Sequence, residues 1–307
     1  MISNRLTVAA LSLVVLTGSA FAQEATAAKY KFTWKAPKAG TVQGIDGKGG
    51  VKMAMDIFMG GELMQSMETT TTHNEKKKTT VLALDGAKIS KFKVAYETIS
   101  NETDLGEMGD MVGDLMPEDK AAALVGKTYV VTLAEAGPSV TAEDGTAVEA
   151  EVSSTVLERE LADGQHIGWH MGLDQVFPDR ELAVGEVLKI DGKAAERFFP
   201  EGPQGGGSGP KVKVALTFTG TKKVLGVECG VFDADFEISG GEDRGLKISG
   251  LPKGELLVGI SNLWIYGFKM DGDMKVEGGP ADPEMPIEMN GKIKVDMNMK
   301  ALYGSAE

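Results

Sequence analysis

The feature that most limits what this chain can become is a two-residue alternation of apolar and polar side chains. Tyr30, Phe32 and Trp34 share one side of the first such stretch, with Lys29, Lys31, Thr33 and Lys35 on the other. Val51, Met53, Met55 and Ile57 repeat the pattern in the next. A period of two sends every second side chain to one face of an extended strand, so these segments read as half-buried strands. Glycine punctuates them at Gly40, Gly44, Gly47, Gly49-Gly50 and Gly60-Gly61, and Asp85-Gly86 is a hairpin signal. Glu62 to His73 is then a polar, Thr-rich strand and Asn74-Glu75 a turn, with Lys76 to Leu84 and Lys88 to Ser100 as the next strands. Antiparallel strands tolerate one wet face, and the meander they form here predicts a mainly β fold.

Helical spacing interrupts the meander twice. Asp104 and Glu107 resemble a capping box ahead of Leu105, Met108, Met111, Val112 and Leu115, although Gly106, Gly109 and Gly113 each weaken such a helix by about 1 kcal/mol. Pro117-Glu118-Asp119 opens a second short helix that Gly126 closes. A further helical region runs from Ala147 to Val176, is broken at Asp163-Gly164, and ends at Phe177-Pro178 because a residue before proline leaves the α region. After it the chain alternates again to Leu302. The expected fold class is α+β but mainly β, a curved antiparallel sheet or half-barrel with two short helical inserts. The Gly-rich stretch at residues 200–210 is a possible subdomain break.

The first residues have a different character. A basic start (Met1 to Arg5), an apolar run (Leu6 to Leu16) and Ala20-Phe21-Ala22 spell a secretory signal peptide over 1–22, leaving an exported domain over 23–307. The expected location is the periplasm or the cell exterior. The formal net charge of −13 becomes one unit more negative without Arg5. That balance argues against a nucleic-acid partner and against docking on anionic lipid, both of which want a basic face. No later stretch reaches about 18 apolar residues, so no transmembrane anchor is expected after cleavage. The single Cys229 cannot form an intramolecular disulfide, and its setting in Val227-Glu228-Cys229-Gly230-Val231 is that of a small buried strand residue.

Candidates for chemistry are few. His166, His170 and Asp174 have the spacing of one helix face, but a zinc-protease helix needs a Glu where Ile167 stands. Ser208 lies among glycines without the spacing of a nucleophile elbow. Asp271-Gly272-Asp273 with Asp282 and Glu284 reads as a solvated acidic turn rather than a calcium loop. No catalytic residue, metal ligand set or cofactor motif emerges, so the expectation is a protein that is not an enzyme. Methionine is the residue left over. Met53 and Met55 share a strand face, as do Met297 and Met299 with Ile293 and Val295 in line. Core filling, an adaptable pocket for a hydrophobic ligand, and a thioether site for Cu(I) all use this residue.

Three further stretches bear on the fold: Leu124-Val125-Gly126-Lys127-Thr128-Tyr129-Val130-Val131, Val176-Phe177-Pro178-Asp179-Arg180-Glu181-Leu182 with Val184-Gly185-Glu186, and Gly220-Thr221-Lys222-Lys223-Val224 leading to Gly226-Val227-Glu228-Cys229. Through them the chain resembles bacterial exported β-rich families of unknown function, whose plan is similar to the lipoprotein-carrier half-barrels. The resemblance implies a strongly curved sheet with an apolar concave face covered by helices. The leading expectation is a binding or carrier-type protein for a lipid-like or other hydrophobic ligand. Its contacts would be Tyr30, Phe32, Trp34, Met53, Met55, Met297 and Met299 under a lid of Leu105, Met108, Met111 and Leu115. The alternative is a cell-envelope interaction or structural domain with a protein partner and no small ligand, and the third is Cu(I) binding by Met53, Met55, Met297 and Met299.

Overall fold

Alternation becomes pairing in the computed structural model, which describes residues 28–106, 120–162, 165–166, 173–190, 195, 210–240, 246–278 and 287–305. The first half supplies β1 (Lys29–Lys31), β2 (Thr41–Met59), β3 (Glu62–Asp85) and β4 (Lys88–Asp104), then a 3-10 turn (Lys120–Leu124), β5 (Thr128–Ala134) and β6 (Gly137–Ala142). Helix α1 (Ala150–Glu160), the two-residue strands β7 (Leu161–Ala162) and β8 (Gln165–His166), the single turn α2 (Leu173–Val176) and β9 (Glu181–Ala183) follow. The second half is β10 (Val187–Ile190), β11 (Pro210–Val224), β12 (Val227–Gly240), β13 (Leu246–Gly250), β14 (Lys253–Gly259), β15 (Ile265–Gly278) and β16 (Ile287–Ser305).

Twelve of these sixteen strands build one large curved antiparallel sheet, and β1–β9 and β7–β8 form two small two-stranded ones. The order of the large sheet is β10-β11-β12-β13-β15-β16-β2-β3-β4-β5-β6, with β14 pairing β12 and β15. The first and last long strands therefore meet in the middle. β2 and β16 pair along their whole lengths, with Thr41 opposite Ser305 and Met59 opposite Ile287. This seam joins two meanders, β2 to β6 and β10 to β16. Since β6 and β10 lie on opposite edges, the segment between them has to cross the sheet.

The described parts of that crossing cover one face, called the inner face here. At one end Val156 of α1 and Leu124 of the 3-10 turn close a core over Phe92, Val94, Tyr129 and Val131. At the other end Leu173, Phe177 and Leu182 close a larger core over Leu216, Phe218, Phe232 and Phe236. Phe32, just after β1, is wedged into the larger core, and β1 itself pairs with β9. Alternation decides which residues do this. Phe232, Ala234, Phe236 and Ile238 are buried, whereas Asp233, Asp235 and Glu237 between them are exposed.

Helix α1 fits its place by charge as well as by shape. Glu151 stands in its first turn and Arg159 in its last, each favourable against the helix dipole. Beneath its C-terminus lies a cluster of ions. The Glu160 carboxylate accepts from Lys77 Nζ at 2.7 Å and from the Tyr96 hydroxyl at 2.9 Å, while Arg159 donates to Glu75 at 2.8 Å. Lys77 and Glu160 are buried, so these pairs tie the crossing segment to the floor of the sheet.

Several expectations hold. Gly60 and Gly61 turn the first hairpin and Gly86 the second, all at positive φ, and Gly126 follows the 3-10 turn at φ +75°. Cys229 is a buried residue of β12. Others are corrected. Asn74-Glu75 is not a turn, because β3 runs through it: Asn74 donates to Ser100 and Glu75 points inward to Arg159. Gly44, Gly47 and Gly49-Gly50 lie inside β2 rather than between strands. Asp271-Gly272-Asp273 is mid-strand in β15, not a turn, with both carboxylates exposed and Gly272 against Pro252. Asp104 ends β4 and its carboxylate accepts from Gly106 N at 2.9 Å; the helix expected from Glu107 onward lies outside the described residues. Of the helical region expected over 147–176, the described residues hold α1 and α2, and β7 pairs with β8 between them rather than continuing the helix. The signal peptide, the stretch 201–209 with Ser208, His170, Asp282, Glu284, Met108, Met111 and Leu115 lie outside the described residues.

The ion cluster makes a direct prediction. Glu160→Ala takes from the buried Lys77 its nearer carboxylate, leaving Glu75 at 3.7 Å, and should cost about 3–5 kcal/mol by urea unfolding. The Lys77→Met, Glu160→Leu double variant should recover most of it. A single-variant cost below about 1 kcal/mol would show that water reaches the cluster.

Candidate functional site

Between the two cores the inner face is open. There most side chains of β16, β2 and β3 are only partly covered, although Val295 is buried in the larger core. Val51 and Met297 are each 40% exposed, and Met53, Met55 and Met67 are half-buried. Ile293 and Met299 lean on the edge of the larger core. Register aligns these residues across the seam: Met53 faces Ile293, Val51 faces Val295, and Met297 and Met299 stand opposite Gly49 and Gly47. Met55 likewise stands opposite Gly291.

The pairing of long and absent side chains shapes the surface. A Cβ added to Gly49 would lie 3.5 Å from Met297 Cγ, so the methionine lies down across its neighbour. The result is a shallow apolar trough along the seam. From Met55 to Gly47 it covers about 27 Å of strand, at roughly 3.4 Å per residue.

One wall is polar. On β3, Thr69, Thr71 and His73 stand opposite Met53, Val51 and Gly49, and β4 adds Thr103 and Asn101 beside Thr71 and His73. Thr71 and Thr103 share a hydroxyl hydrogen bond at 3.3 Å, and His73 Nδ1 lies 2.5 Å from Asn101 Oδ1. Beyond His73 the same row enters the ion cluster at Glu75 and Lys77. Burial alone would raise the Glu75 carboxyl, but Lys77 and Arg159 overcome it and hold the group below its ordinary value. Burial likewise works against the Lys77 ammonium, and Glu160 and Glu75 together raise it. The Tyr96 hydroxyl is pushed upward by burial and by the neighbouring Glu160 charge, so it stays a donor.

The expected contacts divide into two groups. Met53, Met55, Met297 and Met299 line the trough. Tyr30, Phe32 and Trp34 do not; they pack against the larger core instead. Phe32 is 4% exposed, with ring centroids 5.1 Å from Phe177, 5.5 Å from Phe218 and 5.3 Å from Phe232. Tyr30 meets Phe218 edge-on. Leu105 is half-buried just past β4. The polar wall went unread in the sequence, although the Thr-rich alternation of 62–73 was visible. Which of its threonines face inward depends on pairing with β2, and that register has no local signature.

The metal readings do not assemble. Met53 sits opposite Ile293, four residues and about 13 Å of strand from Met297, so the four thioethers do not converge on one ion. His166 is in β8 and Asp174 in α2, not on one helix. Among the described residues, no group of three His, Cys, Asp or Glu side chains is placed to hold a metal. No described helix is long and apolar enough to cross a membrane. A depression of about 660 Å³ between Ala54, Asp56, Glu68, Lys275, Glu277 and Lys292 is rimmed by charges of both signs.

No protein-family model matches the chain, and no curated protein matches it. Among solved structures, one of lipovitellin and its lipid–protein interactions aligns at a TM-score of 0.40 and 8% sequence identity, covering 88% of this chain and 26% of that one. The chain thus spans about a quarter of the length of the protein it matches. Of the resemblance drawn from sequence, the β-rich fold and its curved sheet are what the structure contains.

Acid should act through Glu75. A carboxyl held low in the fold contributes stability above its unfolded value near 4.5, and that contribution is lost as pH falls through the folded value. Unfolding midpoints in urea should therefore drop on acidification below about pH 4.5, and the drop should be shallower in Glu75→Gln. Identical slopes in the two proteins would remove Glu75 from this role.

Proposed function

We propose that the protein is a non-enzymatic binding or carrier protein for an elongated, lipid-like ligand, which lies along the trough of the inner face. One observation carries this reading: a half-exposed apolar stripe, Val51, Met53, Met55 and Met297 with Met67 beside it, that runs out from the edge of the larger core at Val295 and is covered by neither core. A face of this kind is ordinarily buried or reserved for a ligand. Methionine suits the second use, because its unbranched, polarisable chain adapts to different hydrocarbon shapes. Glycines opposite the methionines keep the surface low enough for an alkyl chain to lie flat. The hydroxyl, imidazole and amide groups of Thr69, Thr71, Thr103, His73 and Asn101 run alongside, which suits a ligand with a polar group at one edge. Burial of the ligand's hydrocarbon supplies the affinity, at about 25 cal/mol per Å². The ligand would be met outside the cytoplasm, in keeping with the signal-like stretch at residues 1–22.

Lipids extracted from natively purified protein and identified by mass spectrometry test the proposal directly. A hydrophobic dye should bind saturably to the native state and be displaced by the extracted lipid. Met53→Glu and Met297→Glu, which place a charge on the stripe, should each weaken dye binding by about tenfold while the fold is retained by circular dichroism. Absence of both co-purifying lipid and saturable dye binding would sink the proposal and leave an envelope domain without a small ligand.

A further inference from the structure

The outer face of the sheet carries a feature that the trough does not explain. The β11–β12 hairpin turns on two residues, Leu225 and Gly226, with Val224 paired to Val227. Both turn residues have positive φ, 50° at Leu225 and 82° at Gly226. That geometry favours Asn, Asp or Gly at the first position, and a leucine there is strained by its Cβ. Its side chain stabilises no core in return, being 64% exposed. A strained, exposed apolar residue is a reason to look for what it touches.

Leu225 borders a cavity of about 270 Å³ whose outer-face apolar walls include Val224, Leu257 and Leu302, with Tyr266, Phe268, Met299 and Ala301 also at its border. Leu257 leans over Gly267, where an added Cβ would come within 3.0 Å of its Cδ1. Leu302 is also exposed. Around these walls stand Lys222, Lys269, Lys300 and Glu255. Lys222 is engaged by Glu255 at 3.0 Å. Lys269 and Lys300 have no ion-pair partner among the described residues, and Asp46, the cross-strand neighbour of Lys300, does not reach it. In a chain of formal net charge −13, an apolar slot with a surplus of ammonium groups is a local reversal of sign.

We infer that this slot is a second binding site, for a small amphipathic monoanion such as a medium-chain carboxylate. The hydrocarbon sits between Leu225, Leu257 and Leu302, and the carboxylate meets Lys269 and Lys300. The apolar walls strengthen that ion contact by lowering the local dielectric. The volume, at the low end for small-molecule sites, excludes a whole phospholipid. The site opens on the opposite face from the trough: Leu257, Gly267 and Lys300 form one row on the outer face, and Phe268 and Met299 of the next, inward-facing row border the slot only from beneath.

Octanoate and 1-octanol, titrated separately into protein carrying labelled leucine and methionine methyl groups, test it by NMR. Octanoate should shift the Leu225, Leu257 and Leu302 methyls saturably and bind about tenfold more tightly than 1-octanol. The Lys269→Gln, Lys300→Gln variant should lose that preference. Leu225→Asn should weaken octanoate binding by about fivefold without lowering the melting temperature, since asparagine suits the turn. The inference is overturned if octanoate shifts only the inner-face methionines, if the alcohol binds equally well, or if Leu225→Asn leaves the affinity unchanged. Binding at the methionines alone would leave the trough proposal standing.

Discussion

The pairing of β2 with β16 is the constraint on which the other parts of this molecule depend. Each half of the chain makes a meander with one long free edge, and a long free edge is a liability for pairing with other chains. Joining the edges to each other removes it. The same junction brings residues near the two ends of the described chain into one ladder. Contacts of such sequence separation close late and slowly, because the entropy of the intervening loop is lost before they reward it. The crossing segment then follows as a topological necessity. With the meanders joined by their inner edges, the connection from β6 has to reach the far edge at β10, and the face it passes over becomes the covered one.

This arrangement explains why the inner face is unequal along its width. Covering material arrives in two places, with α1 at one end and with α2, β9 and the β1 segment at the other. Large side chains gather there: Phe92, Tyr96 and Tyr129 at one end, Phe218, Phe232 and Phe236 at the other. Along the seam the same face carries methionine, threonine and glycine instead. The surface is thus graded from rigid aromatic packing to soft, low relief. That gradation distinguishes a place for a guest from an unfinished core.

Much of the fold was legible from residue order. Alternation in Val51 to Ile57, the Gly60-Gly61 and Asp85-Gly86 turns, and the buried setting of Cys229 follow from period and turn chemistry, which act over a few residues. The misreadings share a cause. Gly47, Gly49 and Asn74 look like breakers because their local propensity is for turns, yet long partners on both sides hold them extended. Tyr30, Phe32 and Trp34 were rightly read as an apolar face, but the face they seek is a core formed almost 200 residues later in the chain. The methionines of the trough were visible as a type and not as a site, since only the register across the seam aligns Met53 with Ile293 and Met297 with Gly49.

The buried ions of Glu75, Lys77, Arg159 and Glu160 have one more consequence, for the fidelity of strand alignment. A strand keeps its register when one face is clearly apolar, and a slip of one residue then turns every side chain inside out. Thr69 to Thr72 offers no such guide, because threonine stands on both faces. A few positions along the same strand, a slip would put another lysine, Lys76 or Lys78, in the place of Lys77, but it would point Glu75 away from Arg159 and leave Asn74 or Lys76 there. Sites poor in hydrophobic information are thus aligned from a distance by one acidic residue, Glu75, whose pairing with Arg159 survives in a single register, which leaves the neighbouring threonines free to be chosen for what they face.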